Sequence, residues 1–306
     1  MTDGTGVMAD DTGVINAGPV RGRAIRAAVR AGLNAGWIEL SHCFTMIEDV
    51  FEILPIPLIS VIILLAADAK HKDLPGTHFP IGSTMLAGML VVNVGLNGMA
   101  GLGVRLTADR EDGTLLRAKA TPNGMLGYLT GRIVVVSGTI MLTAVSLLIV
   151  GLAPFGGLAL GSATSWLTLA WVLALGLLAM LPVGAVLGSL FRSVRSATVV
   201  MIGIFGLIGI SGILYPITQL SAWLQWIGQA FPLYWLGLGL RSALLPGSLA
   251  AVEIGHSWRH LATAGVLAAW AIAGLVLAPV LLRRVARREA GSSVAARRER
   301  AMTRII

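Results

Sequence analysis

The sequence is poor in charged residues, and long stretches of it contain none. Only 12% of the chain is charged, about half the share usual in soluble domains, and the mean hydropathy is +0.82. No charged side chain lies between Arg132 and Arg192. Since about 20 mostly apolar residues suffice for a helix to cross a bilayer, this composition excludes a soluble globular domain. It predicts an all-α membrane protein.

Common catalytic and metal-binding motifs are also absent. With one cysteine, Cys43, the chain cannot form an internal disulfide or a thiolate metal site. There is no GxxxxGK[ST], HExxH or CxxC, and the five histidines show no metal-ligand spacing. We therefore expect a non-catalytic subunit that itself binds no cofactor and no metal.

The net charge of +8 is concentrated at the ends of the apolar segments. Arginines in such positions contact anionic lipid headgroups and fix topology. We expect membrane lipids as partners and no nucleic acid. With six spans, most arginines and lysines fall on the side of the two termini, which predicts that both termini are cytoplasmic.

Hydropathy and charge divide the chain into four regions. We predict a disordered tail over residues 1–20, an amphipathic interfacial helix over 21–47, a six-span domain over 48–282 and a basic cytoplasmic tail over 283–306. Residues 215–255, broken by prolines and rich in interfacial aromatics, predict two short, partly re-entrant helices between spans five and six. The six spans are expected at about 51–67, 79–104, 126–152, 166–190, 197–214 and 261–282.

Spans two to six contain no Asp, Glu or Lys in their interiors. A proton-coupled pump needs a titratable group within the membrane, so this absence counts against one. Glu48, Asp49 and Glu52, at the mouth of span one, are the exception. They keep open a proton-coupled secondary transporter that works without an ATPase. A non-transporting membrane anchor for a cytoplasmic enzyme is a third alternative.

Small and polar residues within the spans favour close helix packing. Glycines recur at every third position, at 95, 98 and 101 and from 203 to 212, and small residues let backbones approach. Packing is the simpler interpretation, and a moving or dimeric interface between spans two and five is the functional one. Asn93 and Asn97 share one face of span two, where they could bond another helix or contribute to a substrate path.

One charged stretch runs from Arg105 to Pro122, RLTADREDGTLLRAKATP, and we refer to it as the charged segment. It lies between two spans and is too short for a domain. We predict a short docking helix for a soluble partner, with Asp109 and Glu111 near its start, where carboxylates suit the helix dipole. Leu115 and Leu116 would offer an apolar contact.

Within this segment, Arg110 to Leu115, followed by Thr121-Pro122, resembles the E-x-GT-L…TP pattern of ABC-2 type permeases, the membrane subunits of ABC exporters. Tyr215-Pro216 and Phe231 to Leu233 resemble the family's pattern before the last span. The closest resemblance is to drug-export permeases of the daunorubicin-resistance type. The family often has a further apolar residue where this chain has Ala118-Lys119, which leaves the docking face open.

The resemblance implies a subunit that moves a lipophilic drug or lipid-like substrate outward. A separate ABC ATPase, present in two copies, would carry the P-loop and bind ATP and Mg. A second copy of the permease or a sister permease would complete the unit. The helix from about Thr107 to Ala120 would be the coupling helix. The implied coupling residues are Asp109, Arg110, Glu111, Gly113, Thr114, Leu115 and Leu116.

Overall fold

The computed structural model describes residues 17–42, 59, 62, 66, 81–152, 158–190, 194–213, 215, 217–278 and 280. Every regular element in this part of the chain is a helix, which confirms the all-α prediction. Several predictions lie outside the described residues: nearly all of the first span, Cys43, the acidic residues Glu48, Asp49 and Glu52, nearly all of residues 1–20, and the basic tail.

The described α-helices are α1 (Ala17–His42), α2 (Ile81–Leu96), α3 (Leu102–Glu111), α4 (Thr114–Lys119), α5 (Gly124–Leu152), α6 (Ala163–Leu190), α7 (Val194–Ile210), α8 (Ala222–Ala230), α9 (Pro232–Leu244) and α10 (His260–Ala278). A π-helical turn, Asn97–Gly101, joins α2 to α3 without a break, because the residues on both sides of it stay helical. Three short 3-10 helices cover Ile217–Gln219, Gly247–Val252 and Ile254–His256.

Four of these helical stretches are long and apolar enough to cross a membrane, so the chain is a multi-pass membrane protein. They are Gly82–Glu111, Gly124–Ile149, Ala163–Ser189 and His260–Ala278. The six-span count stays a prediction. The first span lies outside the described residues, and α7 ends at Ile210, four residues before the end predicted for span five.

Helix α1 runs parallel to the first half of α5. Gly32 lies against Gly127 and Gly36 against Gly131, so the two backbones touch without intervening side chains. The large apolar side chain of Trp37 points away and is exposed. α1 begins inside the predicted N-terminal tail, and its place at a membrane interface stays a prediction.

A second set of glycines packs α6 against the α2–α3 helix. An added Cβ at Gly98 would lie 2.8 Å from Cβ of Met180, and one at Gly188 would lie 2.7 Å from Cα of Gly103. Gly184 meets the backbone at Gly98. The interpretation of the glycines of span two as packing residues therefore holds at Gly98, since larger side chains there would separate the helices.

The two short helices predicted for residues 215–255 are α8 and α9. α9 starts with Leu233 against Gly95, near the middle of the Gly82–Glu111 helix. It ends where the carbonyl of Leu244 accepts a hydrogen bond from the amide of Ala159, just before α6. All of α9 except Ser242 is buried. α9 thus penetrates the helix bundle, whereas α8 buries only Gly228. Re-entry of this segment into a membrane stays a prediction.

Candidate functional site

The charged segment consists of a helix end, a tight turn and a short helix. α3 ends at Glu111, and Gly113 takes φ +75° before α4 begins at Thr114. Glycine suits this left-handed conformation because a Cβ would crowd the adjacent carbonyl. The prediction of one continuous helix from about Thr107 to Ala120 was therefore wrong, because the segment turns at Gly113.

Asp109 is the buried centre of a polar network that extends to the exposed Glu39. Its carboxylate accepts two hydrogen bonds from Arg132, at 2.6 Å from Nε to Oδ2 and 2.5 Å from Nη2 to Oδ1. It accepts a third from the hydroxyl of Tyr128 at 2.5 Å. Nη1 of Arg132 also donates to Oε1 of Glu39 at 2.5 Å. We refer to these four residues as the arginine clamp.

The arginine clamp joins three helices at one point. Glu39 comes from α1, Asp109 from α3, and the arginine and tyrosine from α5. A planar guanidinium that binds a carboxylate through two parallel bonds fixes the angle as well as the distance between them. Because Asp109 lies two residues before the end of α3, the clamp fixes where the turn and α4 leave the bundle.

This geometry corrects the role expected of Asp109. Only 7% of Asp109 is exposed, and both of its oxygens already accept hydrogen bonds, so it does not face a docking partner. Glu111, two residues further on, is exposed at the end of α3. Leu115 is buried and anchors α4 to the rest of the chain, although the sequence suggested an apolar docking contact.

The other residues implied to take part in coupling are spread along the turn. Nη2 of Arg110 donates to the carbonyl of Gly188 in α6 at 3.4 Å, which ties the segment to a third long helix. Gly113 and Thr114 are half-buried at the turn itself. The side chain of Leu116 lies outside the described part of the chain.

A groove of about 460 Å³ lies between α1, α5 and the charged segment. Small residues of α1 and α5 form its floor, Thr114 and Thr121 line the side of the charged segment, and Glu39 and Arg132 of the clamp lie at its edge. The groove is therefore a surface to which the charged segment and α1 both contribute.

The two asparagines of span two have different surroundings. Asn93 is fully buried, and its Nδ2 donates to the carbonyl of Ile140 in α5 at 3.0 Å. Asn97 donates from Nδ2 to Oδ1 of Asn93 at 2.9 Å and lines a cavity of about 310 Å³. Of the two residues predicted for a substrate path, the structure assigns Asn93 to helix packing and leaves Asn97 open to a cavity.

This cavity, the membrane groove, lies between the α2–α3 helix, α5 and α7. Its polar lining comprises Asn97, Thr139, Thr143 and Arg105, the first residue of the charged segment. Its apolar lining includes Val136 and Met201. Asn97 opens the π-helical turn, and such turns occur frequently at functional sites.

A buried ion pair that the sequence does not predict lies at the opposite end of the bundle. Nε of Arg241 in α9 donates to Oε1 of Glu253 at 2.7 Å, and their side chains are 8% and 3% exposed. Nη1 of Arg241 also reaches the carbonyl of Gly212, just past the end of α7, at 3.3 Å. The two charges are 12 residues apart with no helical spacing between them, so no sequence pattern pairs them.

The fold and these sites define a multi-pass helical membrane protein with a clamped, charged turn between two of its spanning helices. Comparison with known families agrees: residues 78–278 match the family model described as ABC-2 family transporter protein. This range covers about two-thirds of the chain and includes the whole charged segment, and the chain belongs to this family. No curated protein matches the sequence.

Proposed function

We propose that this chain is the permease subunit of an ATP-driven ABC exporter. Permeases of this family generally pair with an ABC ATPase subunit. The observation that carries the proposal is the exposed Glu111 at a turn whose position the arginine clamp fixes. An exposed charge on a rigidly held turn is suited to transmit a partner's motion. When the partner displaces the charge, the turn and the helices bonded to it move together.

In this proposal the charged segment is cytoplasmic and docks on the ATPase, which binds ATP and Mg. Glu111 makes the contact with the ATPase. Asp109 acts within the permease as a positioning residue. When the ATPase closes, the turn moves, and the clamp passes that displacement to α1 and α5 together. Two ATPases and two permeases form the working unit.

The membrane groove is the proposed entry of the substrate path, and the substrate is a lipophilic drug or lipid-like molecule that moves outward. The groove's mixed apolar and hydroxyl lining supports this choice over a small ion.

An open face of α7 supports a second permease copy. No described atom would lie within 4 Å of an added Cβ at Gly203, Gly206 or Gly209, and the neighbouring Ile202 and Phe205 are exposed. A face of small and apolar residues suits close contact between helices.

The test is co-purification of the full chain with the ATPase encoded beside it, followed by ATP hydrolysis and ATP-driven flux in proteoliposomes. Glu111→Arg should abolish assembly or separate hydrolysis from flux, because it reverses a charge at the contact. Insertion should be unchanged. Glu111→Gln, which removes the charge without reversing it, should have a smaller effect, and Asp112→Arg shows whether any reversed charge at this turn acts alike.

Normal ATP-driven flux in Glu111→Arg would refute the role of this residue. Transport driven by a pH gradient alone, with no ATPase bound under any condition, would refute the exporter and favour the secondary transporter. Binding of a cytoplasmic enzyme without flux would instead favour the membrane anchor.

A further inference from the structure

The two threonines of the membrane groove present lone pairs to it. Oγ1 of Thr139 donates to the carbonyl of Val135 at 2.9 Å, and Oγ1 of Thr143 donates to the carbonyl of Thr139 at 2.9 Å. A carbonyl oxygen can only accept, so each hydroxyl hydrogen is committed to its own helix. The lone pairs that remain on both oxygens are available as acceptors.

The orientation of Asn97 is fixed by a chain of hydrogen bonds that starts at another carbonyl. Asn93 must use its Nδ2 to donate to the carbonyl of Ile140, which leaves its Oδ1 toward Asn97. Asn97 must then donate to that oxygen with its own Nδ2. No hydrogen bond from the described residues reaches Oδ1 of Asn97, so this oxygen is left for the groove.

The lining thus offers three acceptor oxygens, on Asn97, Thr139 and Thr143, beside apolar groups such as Val136 and Met201, and one donor, the second N–H of Asn97. Arg105, the first residue of the charged segment, also lines the groove, and its guanidinium carries only donors. A ligand that carries only acceptors cannot donate to the oxygens of Asn97, Thr139 and Thr143. These oxygens then stay unpaired when the ligand displaces water, and a buried polar group left unpaired is costly. A ligand with O–H or N–H groups pairs with them.

We infer that the membrane groove selects apolar molecules that carry hydroxyl or amine hydrogen-bond donors. This inference rests on the proposed function for its meaning as substrate selection, but binding to the groove can be measured without an ATPase. The discrimination works by rejection, because an analogue that lacks the donor leaves the acceptors of the groove unpaired.

The test compares 9-anthracenemethanol with its methyl ether, which keeps the apolar body and the oxygen but loses the donor hydrogen. Binding to the full chain in phosphatidylcholine nanodiscs is followed by anthracene fluorescence, with empty nanodiscs correcting for partition into lipid. We expect the alcohol to bind about fivefold to tenfold more tightly, the size of one net hydrogen bond.

Thr139→Val and Thr143→Val keep the side-chain shape and remove an acceptor, so each should reduce the preference for the alcohol. Asn97→Leu should do the same. Thr130→Val is the matched control, because the Thr130 hydroxyl donates to the carbonyl of Leu126 in the same helix but lies outside the groove. It should leave the preference unchanged.

Equal affinity for the alcohol and the ether, or no binding of either, would overturn the inference. A fluorescence signal equal to that of empty nanodiscs would also overturn it, because both probes would then reside in the lipid and not in the groove. The outcome is separable from that of the proposed function. Donor-selective binding without ATP-driven flux would support the selectivity of the groove and refute the exporter. ATP-driven flux with no donor preference would support the exporter and refute the selectivity of the groove.

Discussion

Replacing Asp109 by asparagine would show whether the arginine clamp holds the charged segment in place. Asparagine keeps the size of the side chain, removes its charge and replaces one accepting oxygen with an NH₂ group. Arg132 and Tyr128 now donate three hydrogen bonds to this carboxylate. In the variant, Arg132 keeps Glu39 as its only remaining counter-ion in the clamp.

The size of the effect follows from the burial of the two ion pairs. Removing one partner of a buried pair costs about 3–5 kcal/mol. The Arg132 side chain is 19% exposed and keeps Glu39, which places the expected loss at about 3 kcal/mol. Glu39 is 48% exposed, so Glu39→Gln should cost less than about 1 kcal/mol because solvent screens that pair.

Thermal unfolding of the full chain in nanodiscs measures this difference. Asp109→Asn should lower the apparent Tm by roughly 4–6 °C, and Glu39→Gln by no more than about 2 °C. A double-mutant cycle with Arg132→Gln should give a coupling energy of about 2 kcal/mol between residues 109 and 132. If Asp109→Asn melts like the wild type, the clamp does not stabilise the fold. The same conclusion follows if the free-energy changes of Asp109→Asn and Arg132→Gln simply add in the double variant.

Three further variants test other parts of the structure. Gly36→Ala would place a Cβ 2.7 Å from the carbonyl of Gly131, and thermal melts should show a loss of about 1–3 kcal/mol that Gly22→Ala, at an open position, does not. Arg241→Met should cost about 3 kcal/mol in the same assay, and adding Glu253→Leu should restore most of it, because the pair is then replaced by apolar groups. Gly113→Ala should weaken ATPase binding in pull-down assays, because a residue with a Cβ pays about 1–2 kcal/mol to adopt the φ of +75° found here. Gly113→Asn should have a milder effect, because asparagine tolerates this conformation better. Equal binding by both variants would show that the turn does not need this conformation.

The sequence predicts the long helices well and the turns poorly. The starts and ends predicted for α5 and α6 lie within three residues of those observed, because long apolar runs bounded by polar or flexible residues leave little choice. The break at Gly113 was missed although Asp112-Gly113 is a dipeptide typical of turns. The π-helical turn at Asn97 has no sequence signature at all, since its extra residue depends on what packs against α2.

Asp109 and Glu111 show why the site could be only half predicted. Side chains that are two positions apart on a helix point to roughly opposite faces, since each residue rotates the helix by about 100°. One carboxylate must therefore face the bundle when the other faces solvent, and the charged segment alone does not say which. The choice is made by Arg132 in α5 and Glu39 in α1, 23 and 93 residues from their partners in the clamp. An assignment from local pattern groups both carboxylates as docking residues, whereas the fold buries Asp109 as the support of the turn and exposes Glu111, the residue that we propose contacts the ATPase.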